Sequence, residues 1–362
     1  MAGVNPSRDR LEALSRAAGA PGAEDEVRAC MVESLQGCGQ LEYDRLGSVL
    51  CERAGAVEAP RVVLDSHLDE VGFMVQSITA HGLLRFLPLG GWWGHVLLAQ
   101  RVDVVTESGK VSGVITSTPP HFLSADQRRS VLSLEQMYID IGASSAAEVE
   151  AFGVRLGDPV VPHAEFAPLA NPEFLSGKAF DNRVGVGIVC EVMRALDGVE
   201  HPNTVIGVGA VQEEVGCRGA QTSSAMSRPD VAIVLEGTPA DDGPGFTEPQ
   251  AVLGGGPQIR LYDPTAISNR RLVRFVEKVA AETGHPCQLA VRRSGGTDAS
   301  SIQRSHAGVP TVVIGVPARY IHTHVSVIHW QDYVNSVRLT LEVVRRLDAT
   351  TVASLVDFSR PA

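Results

Sequence analysis

Four apolar stretches of this chain run out into acidic residues or a histidine, and this pattern constrains the fold more than any other feature. Residues 61–67 read Arg-Val-Val-Leu-Asp-Ser-His, and 203–212 lead into Glu213-Glu214. Residues 229–236 end on Glu236, and 309–316 precede His322 by a short loop. Short apolar runs bounded by turn signals suit strands buried on both faces. Helical patterns lie between and after them: an apolar helix over 183–196 and a final amphipathic one over 331–347. A third is capped by Asn269, carries Leu272, Phe275, Val276, Val279 and Ala280 on one face, and stops before Gly284. Strands alternating with helices predict an α/β fold, a mostly parallel sheet covered by helices on both faces. Sheets of this kind build their sites at the carboxyl ends of strands.

The alternation is interrupted once. Residues 8–36 carry two amphipathic helical stretches, the second opening near Ala23-Glu24-Asp25 with acids suited to a helix N-terminus. From Gly72 onward the chain turns to short β runs, glycine turns and prolines, as in Gly72–Ile78, Leu83–Leu87, Arg101–Thr106 and Val111–Ile115. That texture predicts a small β-barrel or sandwich inserted into the α/β unit. The expected division is 1–71 and 171–362 for the α/β domain, with 72–170 as the insertion.

Composition sets outer bounds. A length of 362 residues suits two domains or one with a large insertion. The net charge of −11 argues against nucleic acid or an anionic membrane surface as partner. The six cysteines form no C-x-x-C pair and read as reduced thiols. The opening Met1–Arg10 turns charged at once, without the apolar core of a signal peptide, and no run of about 18 apolar residues occurs. The expected compartment is the cytoplasm.

Taken singly, the strand-end groups have ordinary explanations. His67 and Asp69 stand two apart, on one side of an extended backbone, and such pairs are commonly surface pairs. Glu213-Glu214 suits any solvated strand end, Asp181 suits a helix N-cap, and a lone histidine such as His322 is usually structural. Their joint placement at successive strand ends is what points to a site. Carboxylate and imidazole together suit Zn²⁺, Co²⁺ or Mn²⁺. A catalytic zinc takes three protein ligands and leaves a position for water, so five such groups favour two ions sharing a ligand.

Six stretches in order carry a family resemblance. They are His67–Val75 (HLDEVGFMV), Gly113–His121 (GVITSTPPH), Gly177–Gly185 (GKAFDNRVG), Val211–Gly216 (VQEEVG), Gly295–Ala299 (GGTDA) and Arg319–His322 (RYIH). The chain resembles the M42 family of dinuclear metallo-aminopeptidases, which includes the tetrahedral (TET) aminopeptidases and chains labelled glutamyl aminopeptidase or endoglucanase M. The resemblance implies a zinc-aminopeptidase-like core with an inserted PDZ-like or barrel dimerisation domain. It also implies two divalent ions per chain, Zn²⁺ or Co²⁺ before Mn²⁺. His67 and Glu236 would bind one ion, Glu214 and His322 the other, and Asp181 would bridge them. Glu213 would be the general base and Asp69 the acid that orients His67. Many members carry Asp where Glu236 stands, and Asn182 replaces the second Asp of a common pair. Peptides would be the substrates, and the assembly a homo-oligomer built from dimers, up to a hollow tetrahedral dodecamer.

The residues permit this chemistry on their own. Two divalent ions against three carboxylates leave one positive charge, which a hydroxide from acidified water would balance. Glu213 would take the water's proton and return it to the leaving amine. The rival readings are a deacylase or carboxypeptidase with the same kind of centre, a glycosidase, and a non-catalytic assembly protein. A glycosidase needs two carboxyls facing each other across one bond and has no use for His67 or His322. Gly295-Gly296-Thr297-Asp298 reads first as a tight turn before a helix at Ala299, with Thr297 or Asp298 as its cap, and second, through Asp298, as a substrate contact. Trp92-Trp93 is the expected apolar contact of the insertion. Gly254-Gly255-Gly256 reads as a loop before a strand at 258–261.

Overall fold

The structure is a computed structural model that describes residues 6–359. A twelve-stranded sheet forms its centre. Four mutually parallel strands lie in its middle, in the order Thr204–Ala210, Arg61–His67, Val231–Pro239 and Thr311–Arg319. These are the four apolar stretches of the sequence, and each is buried along nearly its whole length. Antiparallel strands extend both edges: Val49–Arg53 and Gln40–Tyr43 on one side, Ser326–His329, Phe174–Gly177 and Ala167–Pro168 on the other. Strand Thr311–Arg319 also pairs with Gln258–Asp263, which carries a short branch of the sheet.

The register levels the strand ends. Ala210 lies opposite His67, and Val234 opposite Asp65, which brings Glu236 level with His67 on the neighbouring strand. The two faces of the sheet are covered unequally. Helices Pro6–Arg16, Asp25–Leu35, Phe180–Ala195, Arg270–Thr283 and Trp330–Val344 bury one face, with Leu14, Met31, Val189, Val276 and Leu339 against Leu64, Ile233 and Ile314. Asn269 caps the fourth of these by accepting the amides of Arg271 and Leu272, and Gly284 ends it at φ 70°. The other face carries the shorter helices Arg218–Ser227 and Ala299–Ile302, whose Ala220 and Ala299 pack on Val63 and Val234. Small side chains let these helices sit close to the sheet. Helix Arg218–Ser227 has no apolar stripe, which is why periodicity does not reveal it.

The insertion is a closed barrel of six strands: Gly72–Ile78, Leu84–Leu89, Tyr138–Asp140, Gly109–Thr116, Arg101–Thr106 and Pro159–Pro162. Closure removes exposed strand edges. Its interior is filled by Phe73, Val75, Leu84, Phe86, Val102, Val104, Ile115, Ile139 and Val160. Pro159–Pro162 is the last barrel strand, and Ala167–Pro168 already pairs in the large sheet, although β texture runs on to about residue 170. A two-residue strand is too short to show a period. The Trp92-Trp93 pair divides its work. Trp92 stacks on Phe73 with centroids 4.7 Å apart and donates Nε1–H to the Gly72 carbonyl, so it belongs to the fold. Trp93 stays 64% exposed. All six cysteines are free, and among the described residues no helix is long and apolar enough to cross a membrane.

Candidate active site

His67 ends its strand, and Asp181 sits in the distorted first turn of helix Phe180–Ala195, after the left-handed residue Ala179. Asp181 is no N-cap: its φ of −85° and ψ of 102° are non-helical, and its carboxylate faces two histidines. Oδ1 lies 3.2 Å from His67 Nε2, and Oδ2 lies 3.4 Å from His322 Nε2. Glu236 stands 3.7 Å from His67 Nε2, and Glu214 stands 3.5 Å from His322 Nε2. Each histidine therefore has one carboxylate of its own and shares Asp181. Glu213 reaches 3.9 Å from His67 Nε2 through Oε2.

The far nitrogens of both rings point at backbone carbonyls. His67 Nδ1 is 3.0 Å from the carbonyl of Asp69, and His322 Nδ1 is 2.8 Å from that of Gly91. Such partners fix ring orientation and leave Nε2 free to ligate. Asp69 thus orients His67 chiefly through its carbonyl, with its carboxylate farther off at 3.6 Å. That carboxylate instead accepts the amides of Glu213 at 2.9 Å and Glu214 at 3.0 Å. It holds the loop that carries both acids. The preceding residue, Gln212, is left-handed at φ 58°, and its amide is accepted by buried Glu24. The sequence suggested Glu24 only as a helix-start acid.

Asn182 is the clearest residue that sequence reasoning undervalued. Its Nδ2 donates to Leu235 O, and its Oδ1 accepts from Gly185 N and Gly237 N. A carboxylate could accept but not donate here, so the amide locks the Asp181 turn to the strand carrying Glu236. Below it, the buried cations Lys178 and Arg183 both bond Glu70. The turn before Ala299–Ile302 forms with Thr297 as its cap: Thr297 Oγ1 accepts the Ala299 amide, while the Asp298 side chain makes no cap bond and faces Asp65 in the interior.

The electrostatics describe a site short of positive charge. Burial pulls His322 down, but Asp181 and Glu214 outweigh it and lift the imidazole to about 10. Burial is likewise overcome at His67, which Asp181 and Asp69 raise well above its ordinary value. Burial and then the charge of Asp181 push Glu214 well up, and burial with Asp181 does the same to Glu236. Asp181 moves the other way: burial opposes, but His322 and His67 hold it below the usual carboxylate range. Glu214 Oε1 and Glu236 Oε1 are buried without any hydrogen-bond donor. Buried oxygens of this kind need a cation or a proton. Three nitrogen–oxygen clusters capable of holding an ion overlap here: His67/Asp181/Glu236, Asp181/Glu214/His322 and His67/Glu213/Glu214. The donor set fits divalent cations. The groups open on a cavity of about 270 Å³ that Arg260, Gly295–Thr297, Pro239 and Ile321 also line.

Comparison with known proteins agrees with the geometry. The model of the M42 glutamyl aminopeptidase family matches residues 47–339. A TET aminopeptidase from the marine sediment archaeon Thaumarchaeota archaeon SCGC AB-539-E09 superposes with a TM-score of 0.94 at 44% identity, over 96% of this chain and 98% of that one. The glutamyl aminopeptidase of Lactococcus lactis is 34% identical over 97% of this chain and 99% of its own length. The TET1 peptidase of Pyrococcus horikoshii, which assembles into a tetrahedron or a large octahedral shell, is 32% identical with a TM-score of 0.85, over 94% of this chain and all of its own.

Proposed function

This chain belongs to the M42 family of aminopeptidases, peptide-bond hydrolases of the metallopeptidase class, and from that premise we propose a two-ion mechanism with Glu213 as the base. The observation that carries it is the split carboxylate of Asp181, one oxygen toward each histidine. His67, Glu236 and Asp181 would hold one ion; His322, Glu214 and Asp181 the other. Bound there, two divalent ions supply Lewis acidity toward the scissile carbonyl and lower the pKa of water. Zn²⁺ or Co²⁺ suits the imidazole share of the donor set better than Mg²⁺ does.

The remaining work falls to the chain. Glu213 is raised above its ordinary value, chiefly by burial, which suits a group that must gain and return a proton near neutral pH. Asp69 accepts its backbone amide and so holds the loop that presents this carboxylate beside His67. Glu213 takes the proton of the attacking water and delivers it to the amine that leaves. The free α-amino group of the substrate would be read by an ion or by a carboxylate near Glu213.

Peptides are the substrate class. A peptide in free and N-acetylated form separates this reading from its nearest rival, a deacylase. We expect the free form to be cleaved at least about 10²-fold faster, as loss of a charged contact in a closed site implies. Faster cleavage of the blocked peptide would mean the right centre and the wrong substrate. Elemental analysis should give two ions per chain, and Asp181→Ala should deplete both where His67→Ala depletes mainly one. We further propose that copies pair through the barrel, with exposed Trp93 in the contact, and that six unpaired cysteines fit the reducing cytoplasm. Native mass measurement on Trp93→Glu tests the pairing: an unchanged assembly excludes Trp93 from it.

A further inference from the structure

Glu213 belongs to two clusters at once. Its Oε2 faces His67, while Oε1 lies 3.4 Å from the Sγ of Cys217. Glu213, Cys217 and Asp298 present ligand atoms that all fall within 4.8 Å of one another. Cys217 stands at the start of helix Arg218–Ser227 and Asp298 just before Ala299–Ile302, the two helices of the thinly covered face. Asp298 is fully buried, and neither of its oxygens has a donor; the same holds for Asp65, whose carboxyl it faces. Two carboxyls in contact bond only by sharing a proton. An unpartnered buried carboxylate beside a thiol is costly to keep, and a cation relieves it.

We propose that Glu213 Oε1, the Cys217 sulfur and Asp298 form a third, weaker divalent-cation site, selective for thiophilic ions such as Zn²⁺, and that filling it withdraws the base and stops hydrolysis. This rests on Glu213 being the base of the proposed reaction. Zinc–sulfur and zinc–oxygen bonds of about 2.3 and 2.0–2.2 Å set a tetrahedral edge of about 3.6 Å, close to the observed sulfur–oxygen separation. The primary centre offers only nitrogen and oxygen, so sulfur distinguishes the third site and biases it toward soft ions. Glu213 and Thr297 line the substrate cavity, which gives an ion a route in. On binding, a sulfur–metal bond forms, the thiol proton leaves to solvent, and no electron is transferred.

Cobalt titration of the metal-stripped protein tests this. Thiolate bound to Co²⁺ gives a charge-transfer absorption in the near ultraviolet, which nitrogen and oxygen ligands do not. The first two equivalents should restore activity without that band; further cobalt should bring the band and, in step, inhibition. Cys217→Ser and Cys217→Ala should keep the two-ion activity, lose the band, and need about 10–100-fold more metal for half-inhibition. Excess Zn²⁺ should inhibit the wild type with the same difference between variants. Inhibition with no thiolate band, or inhibition equal in wild type and both variants, overturns the proposal. So does a band at the first equivalent, since Cys217 would then serve the primary centre. A count of one equivalent before the band would instead sink the two-ion reading while leaving Cys217 as a ligand of a separate, later site.

Discussion

The carbonyl of Gly91 accepts a hydrogen bond from His322 Nδ1 at 2.8 Å, across 231 positions of sequence. Gly91 lies between two barrel strands, so the inserted domain directly orients a proposed metal ligand. Its neighbour Gly90, left-handed at φ 85°, passes 3.1 Å from Glu214 Oε2 by the position a Cβ would take. Two consecutive glycines thus let the barrel backbone approach both His322 and Glu214, the proposed private ligands of one ion. The barrel is more than a spacer.

A methyl group at Gly91 would sit 3.3 Å from His322 Nδ1, so Gly91→Ala should tilt the ring. We expect a loss of about 10–100-fold in affinity at the His322/Glu214 site, the usual worth of an orienting partner, with the His67/Glu236 site unaffected. Stepwise metal release against a chelator measures both. Equal weakening of the two sites would show that the barrel contact serves the fold and not one ligand.

Glu213→Gln preserves size and hydrogen bonding but cannot accept the water's proton. Its activity should fall by roughly 10²–10⁴-fold at normal metal content. Near-wild-type turnover in a preparation shown to be fully loaded would remove Glu213 from the role.

Removal of metal should make stability depend on pH in one direction. His322 holds its proton to about 10 in the folded chain, against 6.5 as its ordinary value. The folded state therefore binds the extra proton, and this contribution is fully present below about 6.5 and lost as pH rises toward 10. Glu214 and Glu236, raised by burial, push the same way from 4.5 upward, because ionising them is harder in the folded chain. Thermal unfolding in chelator should show a midpoint that falls with rising pH over this range. Added metal should flatten or reverse the slope, since it binds the deprotonated ligands and releases protons. A chelated sample that gains stability with pH would contradict the charge balance described for the site.

What the sequence made legible follows from where each interaction is encoded. The parallel strands were visible because burial on both faces writes an unbroken apolar run, and their ends named His67, Glu214 and Glu236. The motif around Asp181 was visible, but not its turn, which depends on Asn182 bonding a strand more than fifty residues away. Asp69 was placed beside His67 by spacing, yet its carboxylate serves the amides of Glu213 and Glu214, and backbone donors leave no mark on sequence. The strand Phe174–Gly177, next to last at its side of the sheet, carries a single fully apolar pair, too little for a period. Local patterns report burial and chain direction; contacts between domains do not enter them.

The cavity beside the proposed ions carries one further cation from the chain. Arg260 is 4% exposed, lines the cavity with Gly295, Gly296 and Thr297, and has a partner for Nη1 in Asp263 but none for Nε. Strand Gln258–Asp263 aims it there because Ile259 packs into the helical side of the sheet, which sends its neighbours to the other face. Asp263 gives Oδ2 to Nη1, while its Oδ1 accepts from Thr265 and the amide of Ala266, so Nε is left without an acceptor. A side chain entering this cavity with a carboxylate or carboxamide can satisfy the free donor, whereas a lysine or arginine side chain would add charge to a buried cation. Peptides that begin with glutamate or glutamine should therefore be cleaved faster than those that begin with lysine, by about 10-fold or more, since charged hydrogen bonds contribute about 1.5–3 kcal/mol. Arg260→Met keeps the stem and removes the donors, and it should erase that ratio mainly through KM while leaving turnover of a leucine-first peptide within a few-fold. Unchanged discrimination in a folded, metal-loaded Arg260→Met enzyme would assign Arg260 to bracing the loop at Asp263 and leave selection of the first residue to the glycine loop opposite.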